Sequence, residues 1–285
     1  MSMKHFFLIP NHHKDPDLTV TREVASYLKL RGAEAVIREN REQGALRHTD
    51  PDEVPENTDC VIVLGGDGTL IRAAGDLVNL QIPFLGINLG TLGYLAEIDR
   101  ASIYPALDAL LEERFLIEKR MMLHGDVWHE GERIQSGVVL NDILVSREGS
   151  PRVINLINYV NGRYLNEYRA DGIIVATPTG STGYSLSAGG PIVAPDADLF
   201  LMTPLAAHAL NTRSVILPAD DNRIRIRIGA GRDGSTEHAL AVFDGSTGAS
   251  LVTDDYVEIR RAERHIEIIK LHDDSFLETL RRKMQ

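Results

Sequence analysis

The segment Gly65-Gly66-Asp67-Gly68-Thr69 carries the clearest chemistry in the chain. It follows five apolar residues, Cys60–Leu64, that read as a buried strand, and it precedes a helical pattern. Glycines let the backbone take positive φ and approach a ligand closely. A helix starting here offers unpaired N–H groups and the positive end of its dipole, which suits phosphate. The carboxylate inside the loop is the unusual part. Asp67 would repel a bare phosphate, so its presence calls for a proton or a cation. It is a candidate general base for a hydroxyl, or a ligand to a phosphate-bound metal ion. The plainer reading is a strand-to-helix turn in which Asp67 caps the helix.

A second constellation runs from Ala170-Asp171-Gly172 to Pro191. A short strand, residues 173–176, feeds Thr177–Pro191, fifteen residues that hold four glycines and seven Ser, Thr or Tyr. That density exceeds what a surface turn needs, and hydroxyls suit phosphate or sugar oxygens. Asn141-Asp142 interrupts the apolar residues 138–140 and 143–145. A polar pair inside an apolar strand must be satisfied. It either bonds the local backbone or holds ribose hydroxyls and a base edge. Arg72, Arg152 and Arg169 are candidate local positive charges, although a lone arginine is more often solvated surface.

Other patterns carry less. Gly229-Ala230-Gly231-Arg232-Asp233-Gly234 matches GxGxxG, but no helix start follows, so it reads as a hairpin turn rather than a dinucleotide fingerprint. No GxxxxGK[ST] occurs, which argues against a P-loop nucleotidase. The ten histidines show no zinc-ligand spacing, and no resident metal site is expected. His12-His13 reads as a solvated loop. His208, in an apolar run, reads as a core or interface histidine.

The elements that must position these residues fall into two textures. Phe6–Ile9 is an apolar strand. Val20, Val24, Tyr27 and Leu28 mark one helix face, closed by Gly32. Ala35–Ile37 is a strand, and 41–57 is a polar, turn-rich connection. After Cys60–Leu64 come a helix around Leu70–Asn79, a strand at Pro83–Asn88 and a helix near Ser102–Glu113. This alternation implies βαβ units and a mostly parallel sheet. From about Phe115 the period becomes two, with Ile224, Ile226 and Ile228 separated by arginines. Asn161-Gly162 is a strong two-residue hairpin signal. Ser275–Lys283 returns to helix, with Asp273 or Asp274 as its start signal. The expected fold is an α/β domain, residues 1–100, Rossmann-like and completed by 265–285, followed by a mainly antiparallel β domain, 101–264.

Composition sets the outer bounds. In 285 residues, 43% are apolar and 25% charged, which excludes global disorder. A net charge of −11 argues against a non-specific nucleic-acid binder. No apolar run approaches a membrane span, and the apolar stretch before Pro10 is too short for a signal core. Cys60 is the only cysteine, so no intrachain disulfide forms and a reducing compartment fits. A cytoplasmic protein without nucleic-acid or membrane partners is expected.

Together these segments resemble the NAD kinases. The resemblance rests on Gly65-Gly-Asp-Gly-Thr69, Gly86-Ile-Asn-Leu-Gly90-Thr-Leu-Gly93, Leu140-Asn141-Asp142, and Asp171-Gly172 through Pro191, in the family's order and spacing. It covers roughly Val61 to the end, and the 177–191 segment is its most specific part. The resemblance implies transfer of the ATP γ-phosphoryl group to the 2′-hydroxyl of the adenosine ribose of NAD, giving NADP. Asp67 would take the hydroxyl proton. Gly66, Gly68 and Thr69 would sit at the phosphates, with Arg72 nearby. Asn141 and Asp142 would hold adenosine, and Arg152, Arg169 and Asp171 would line the nucleotide site. Thr182, Gly183, Tyr184, Ser185, Leu186 and Ser187 would contact the dinucleotide. Gly183 stands where alanine is usual, and Ser246 where glutamine is common; Asp142 is the shorter of two acids found there. Mg²⁺ would arrive with ATP or polyphosphate as the donor. Homodimers or homotetramers, with sites completed across subunits, are the expected assembly, and the C-terminal helix would return to the first domain. Two other classes stay open. One is a lipid (diacylglycerol- or sphingosine-type) or phosphofructo-type kinase, and the other is a non-catalytic NAD-binding sensor.

Overall fold

The computed structural model describes residues 3–38, 48–91, 93–96, 98–149, 152–208, 212–246, 248–271 and 276–283. The expected start signal of the last helix, Asp273 or Asp274, lies outside them, as do 41–47 of the polar connection. The chain divides into two compact units. One is Met1–Arg120 with Arg264–Gln285, and the other is Met121–Glu263.

In the first unit, β1 (His5–Pro10), β2 (Glu34–Ile37), β3 (Cys60–Gly65) and β4 (Phe84–Asn88) pair in parallel in the order β2-β1-β3-β4. β3 and β4 are buried along their whole length, as strands covered on both faces must be. The cover comes from α1 (Thr19–Leu30), α2 (Asp67–Leu77) and α3 (Ile103–Leu111). α1 buries Val20, Val24 and Leu28 at four-residue spacing. The buried Asp15 carboxylate accepts the Val20 and Thr21 backbone N–H groups at its start. Gly32, at φ +80°, follows its end. Ile103, Leu107 and Leu110 of α3 join Val24 and Leu28 in one core with Leu8, Ile62 and Leu64. That packing carries the first unit on to Arg120 rather than to residue 100. α2 begins at Asp67, earlier than its apolar pattern indicates, because its first turn consists of loop residues that face no core.

The chain continues as β5 (Leu116–His129), β6 (Glu132–Val139), β7 (Asp142–Arg147), β8 (Ile154–Val160), β9 (Arg163–Ala170), β10 (Gly172–Ala176), the short α4 (Tyr184–Ser187), β11 (Leu199–Leu205), β12 (Val215–Pro218), β13 (Arg223–Ile228), β14 (His238–Phe243), β15 (Ser250–Val252) and β16 (Tyr256–Lys270). One antiparallel sheet of the second unit runs β12-β11-β10-β7-β14-β15. Another antiparallel set places β13 between the early part of β16 and the β8–β9 hairpin. Ile224, Ile226 and Ile228 are buried while Arg223 and Arg225 are exposed, as the period of two requires. These isoleucines share a core with Ile143, Val145, Ile173, Val175 and Phe200 from the facing sheet. Asn161 (φ +51°) and Gly162 (φ +75°) form the two-residue turn of the β8–β9 hairpin. The 229–234 glycine segment is not a hairpin turn. It leads from β13 to β14, which belong to different sheets. The end of β16 returns to the first unit, where Ile268 pairs in parallel with Phe84. α5 (Phe276–Lys283) belongs to the same unit.

Candidate active site

β1, β3 and β4 are parallel, so their carboxyl ends lie on one edge of the first unit's sheet. Such an edge is where open α/β sheets bind ligands. Asn11, Gly66 and Leu89 are the first residues beyond these three strands. Gly66 is extended (φ −167°) and releases the chain into α2 at Asp67. The carboxylate of Asp67 does not cap its own helix, which rules out the plainer reading of this loop. It turns to the segment after β4 instead. Tyr94 N–H donates to Oδ2 at 2.6 Å, and Leu95 and Ala96 N–H donate to Oδ1 at 3.1 and 3.0 Å. A carboxylate offers roughly four lone-pair positions, so about one remains for a ligand proton. Gly93 backs this arrangement, because a Cβ there would fall on the carboxylate.

Thr69 is held by the neighbouring strand. Asn11 Nδ2 donates to Thr69 Oγ1 at 2.8 Å, so the threonine's own proton is left to donate elsewhere. Gly65 leaves room for this bond, since a Cβ there would stand 2.6 Å from Thr69 Oγ1. A cavity of about 370 Å³ opens over the loop. Gly66, Asp67, Gly68, Thr69 and Arg72 line it, as the sequence suggested. Lys14 and Lys283 line it too, and sequence reasoning missed both along with Asn11. The signal available for Asn11 and Lys14 was their place just past a parallel strand. Nothing comparable marks Lys283, which α5 delivers and whose ammonium stands 4.9 Å from the Tyr94 ring centre.

In the second unit, Asn141 lies in the turn between β6 and β7 rather than inside one strand. Its surroundings are fixed by Asp244, which the sequence reading passed over. The Asp244 carboxylate accepts N–H bonds from Leu140, Asn141 and Asp142 at 2.7, 2.9 and 3.0 Å. Thr177 N–H donates to the Asn141 carbonyl at 2.9 Å, and Thr177 Oγ1 donates to the Leu140 carbonyl at 2.6 Å. Gly180 packs so close that a Cβ would strike the Asn141 carbonyl. The Asn141 Oδ1 is buried without a protein partner among the described residues, so it is free for a ligand donor. Burial pushes the Asp142 carboxyl up to about 7, and the nearby Asp244 charge adds to this. Burial pushes Asp244 up to about 6, against the lowering effect of its three N–H donors. Gly183 faces both residues of the pair. A Cβ on it would stand 3.4 Å from Asn141 Nδ2 and 4.0 Å from Asp142 Oδ2.

The hydroxyl-rich segment divides by what its side chains touch. Ser181 exchanges hydrogen bonds with the Val193 backbone, and Ser185 is buried against Thr203 Oγ1 at 3.2 Å. The expectation that these hydroxyls face a ligand is corrected for both: they hold the loop's shape. Thr182 Oγ1 donates to the Thr179 carbonyl at 3.2 Å. Tyr184, Leu186 and Ser187 are exposed. Ser246 turns its hydroxyl back to the Phe243 carbonyl within its own turn.

Arg152, Arg169 and Asp171 gather elsewhere in the unit. With Arg147, Arg232 and His208 they line a cavity of about 780 Å³. Arg147 Nε donates to Asp171 Oδ1 at 2.9 Å. His208 is exposed there and not a core histidine, and the 229–234 segment forms part of the rim. β7 and β10 are antiparallel, with Asp142 opposite Ala176 and Ser146 opposite Gly172. The arginine cavity and the Asn141–Asp142 turn therefore sit at opposite ends of the same two strands, roughly 15 Å apart at the ordinary strand rise.

Among the described residues, no cluster of three or more His, Cys, Asp or Glu could hold a metal ion. Residues 6–115 match the ATP-NAD kinase N-terminal domain, and residues 140–271 match the ATP-NAD kinase C-terminal domain. The chain is 47% identical over 283 residues to an NAD kinase of Agathobacter rectalis, covering 99% of both chains. It is 45% identical to an NAD kinase of Lachnospira eligens, covering 99% of this chain and 100% of the relative. The chain belongs to the NAD kinase family. Its fold is similar to that of yeast NADH kinase solved with NADH, with TM-score 0.82 and 26% identity over 99% of this chain and 86% of that one. It also resembles the fold of an NAD kinase from Archaeoglobus fulgidus solved with ATP, with TM-score 0.74 and 22% identity over 98% of each chain. In this family setting, Asp67 and the Asn141–Asp142 turn fall within the two matched regions.

Proposed function

We propose that this protein transfers the γ-phosphoryl group of ATP to the 2′-hydroxyl of the adenosine ribose of NAD, forming NADP and ADP. The observation that carries it is a carboxylate held at the head of a phosphate-type helix start, in a cavity lined by cations. The 2′-oxygen forms the new bond to Pγ while the bond from Pγ to the β-phosphate oxygen breaks and leaves with ADP. The hydroxyl proton passes to the Asp67 carboxylate, and a well-placed base contributes about 10²–10⁴-fold. The three amides fix where that carboxylate points. Thr69 donates its hydroxyl proton to phosphate oxygen, beside the N–H of Gly68 and the charge of Arg72. Mg²⁺ enters as part of the substrate, chelated by ATP, and neutralises charge on the transferring group; polyphosphate is the alternative donor.

Asn141 and Asp142 hold the adenosine of NAD. Arg152 and Arg169 bind the phosphate-rich remainder of a nucleotide in a cavity that Asp171 also lines, and Thr182, Gly183, Tyr184, Leu186, Ser187 and Ser246 make further contacts to the dinucleotide. The separation of those two groups within one copy favours a homo-oligomer, in which one subunit's arginine cavity serves a neighbour's turn. The single cysteine, buried at Cys60, suits the reducing cytoplasm. No described helix is long and apolar enough to cross a membrane. The test is to incubate the purified protein with NAD, MgATP or polyphosphate, and read NADP with an NADP-specific dehydrogenase. NADP formation that Asp67→Asn abolishes is expected. Absence of NADP, with phosphorylation of a lipid or sugar phosphate instead, overturns the proposal.

A further inference from the structure

We propose that Lys14 is the residue that grips the terminal phosphates of the phosphoryl donor, a role that rests on the kinase reading above. β1 and β3 are direct neighbours, with Pro10 opposite Leu64, so the residues after β1 emerge beside the glycine–aspartate loop. Asn11 organises that exit. Its backbone N–H donates to the Leu64 carbonyl at 2.7 Å. Its Oδ1 accepts from the backbone N–H groups of His13 and Lys14 at 3.0 and 3.2 Å. Its Nδ2 holds the Thr69 hydroxyl. One side chain thereby fixes both the backbone of Lys14 and a phosphate-facing hydroxyl.

The ammonium of Lys14 reaches across the loop and donates to the Gly65 carbonyl at 3.2 Å. A Cβ on Gly66 or on Gly90 would stand 2.8 Å from Nζ, so the absence of a side chain at both positions gives the ammonium its place. An ammonium has three donors, and one goes to Gly65. Two remain for oxygens in the cavity shared with Asp67, Gly68 and Thr69. A compact charge on a flexible stem suits phosphate without demanding a fixed fork geometry. The chain has no P-loop lysine and a net charge of −11, so local charge at this cavity must come from side chains such as this one.

The experiment compares Lys14→Met and Lys14→Arg with the parent. Lys14→Met should lower kcat/KM for MgATP by about 10²-fold, the usual effect of removing one donor to a charged transition state. The KM for NAD and the thermal unfolding midpoint should stay at parental values. Lys14→Arg should recover part of the loss. Parental kcat/KM for MgATP in Lys14→Met overturns the proposal, as does an equal rise in the KM for NAD. A second arm titrates inorganic tripolyphosphate into each protein by calorimetry, without NAD. Were the parent to make no NADP, the kinase reading would fall, yet this arm still decides the role of Lys14. Weaker binding in Lys14→Met supports it, and equal binding refutes it.

Discussion

Gly93→Ala tests whether Asp67 is held as described. A methyl group at Gly93 would meet Cγ and both carboxylate oxygens of Asp67. Positions 94–96 cannot easily retreat, because Leu95 and Ala96 are 4% and 1% exposed. The carboxylate must move, and the Leu95 and Ala96 N–H groups then lose their acceptor. A buried donor without a partner costs about 1–3 kcal/mol, so two cost roughly 2–6 kcal/mol of stability. The effect on turnover is separate. A base displaced by about an ångström loses on the order of 10²-fold, and a base removed loses 10²–10⁴-fold. NADP formation is measured at a temperature where circular dichroism shows the variant folded, with the KM for ATP and for NAD determined alongside. Gly90→Ala is the control, because the new methyl meets only the flexible end of Lys14. It should impair the use of MgATP without a large loss of stability. A folded Gly93→Ala protein with parental kcat would refute the placement of Asp67 and its assignment as the base.

The acid pair of the second unit predicts a pH effect. Asp142 moves from an ordinary 3.8 to about 7 and Asp244 to about 6, so the native state keeps protons that the unfolded chain releases from about pH 4 upward. The contribution of this pair to stability is fully present below that and is lost as pH rises to about 7, by up to roughly 4 kcal/mol for Asp142. Denaturant unfolding at pH 5 and pH 7.5 should show this slope, reduced in Asp142→Asn; the same slope in both proteins would contradict it. Gly180→Ala drives a methyl into the Asn141 carbonyl, and overpacking of this kind costs about 1–3 kcal/mol. It should raise the KM for NAD far more than the KM for MgATP, and unchanged NAD kinetics would count against the Asn141 assignment.

The parts legible in the sequence are those whose physics is local. Period-four and period-two burial located α1, α3 and β13, and Asn161-Gly162 announced its hairpin because its two residues must take positive φ. Gly66 through Arg72 were found as a group because a strand, a loop and a helix start follow one another directly. What escaped depends on pairings far apart in the chain. Asn11 contacts Thr69, and Asp244 contacts Leu140–Asp142, through bonds that span 58 and 102 to 104 residues. Lys283 arrives at its cavity only because the end of β16 joins the first unit's sheet. The buried hydroxyls of Ser181 and Ser185 show the opposite limit. Their residue types suit a ligand, but types alone do not tell which side of a loop faces inward.

The glycines around Asp67 sharpen what such a loop is for. Gly65 makes room for Thr69, Gly66 and Gly90 make room for the Lys14 ammonium, and Gly93 makes room for the Asp67 carboxylate. Each gap is filled by a polar side chain of the protein itself. A donor phosphate therefore meets the fixed Thr69 hydroxyl and Lys14 ammonium rather than bare backbone, and this bears on the charge of the chain. A protein of net charge −11 gives no long-range attraction to an anion such as MgATP or NAD. Affinity must come from groups within hydrogen-bond reach, set in place before the ligand arrives. The three amides on Asp67 and the bond from Asn11 to Thr69 supply that order in the first unit, and Asp244 supplies it for the Asn141–Asp142 turn in the second. Preorganised groups cost little rearrangement at the moment of reaction, which is how a strongly acidic chain can handle two anionic substrates.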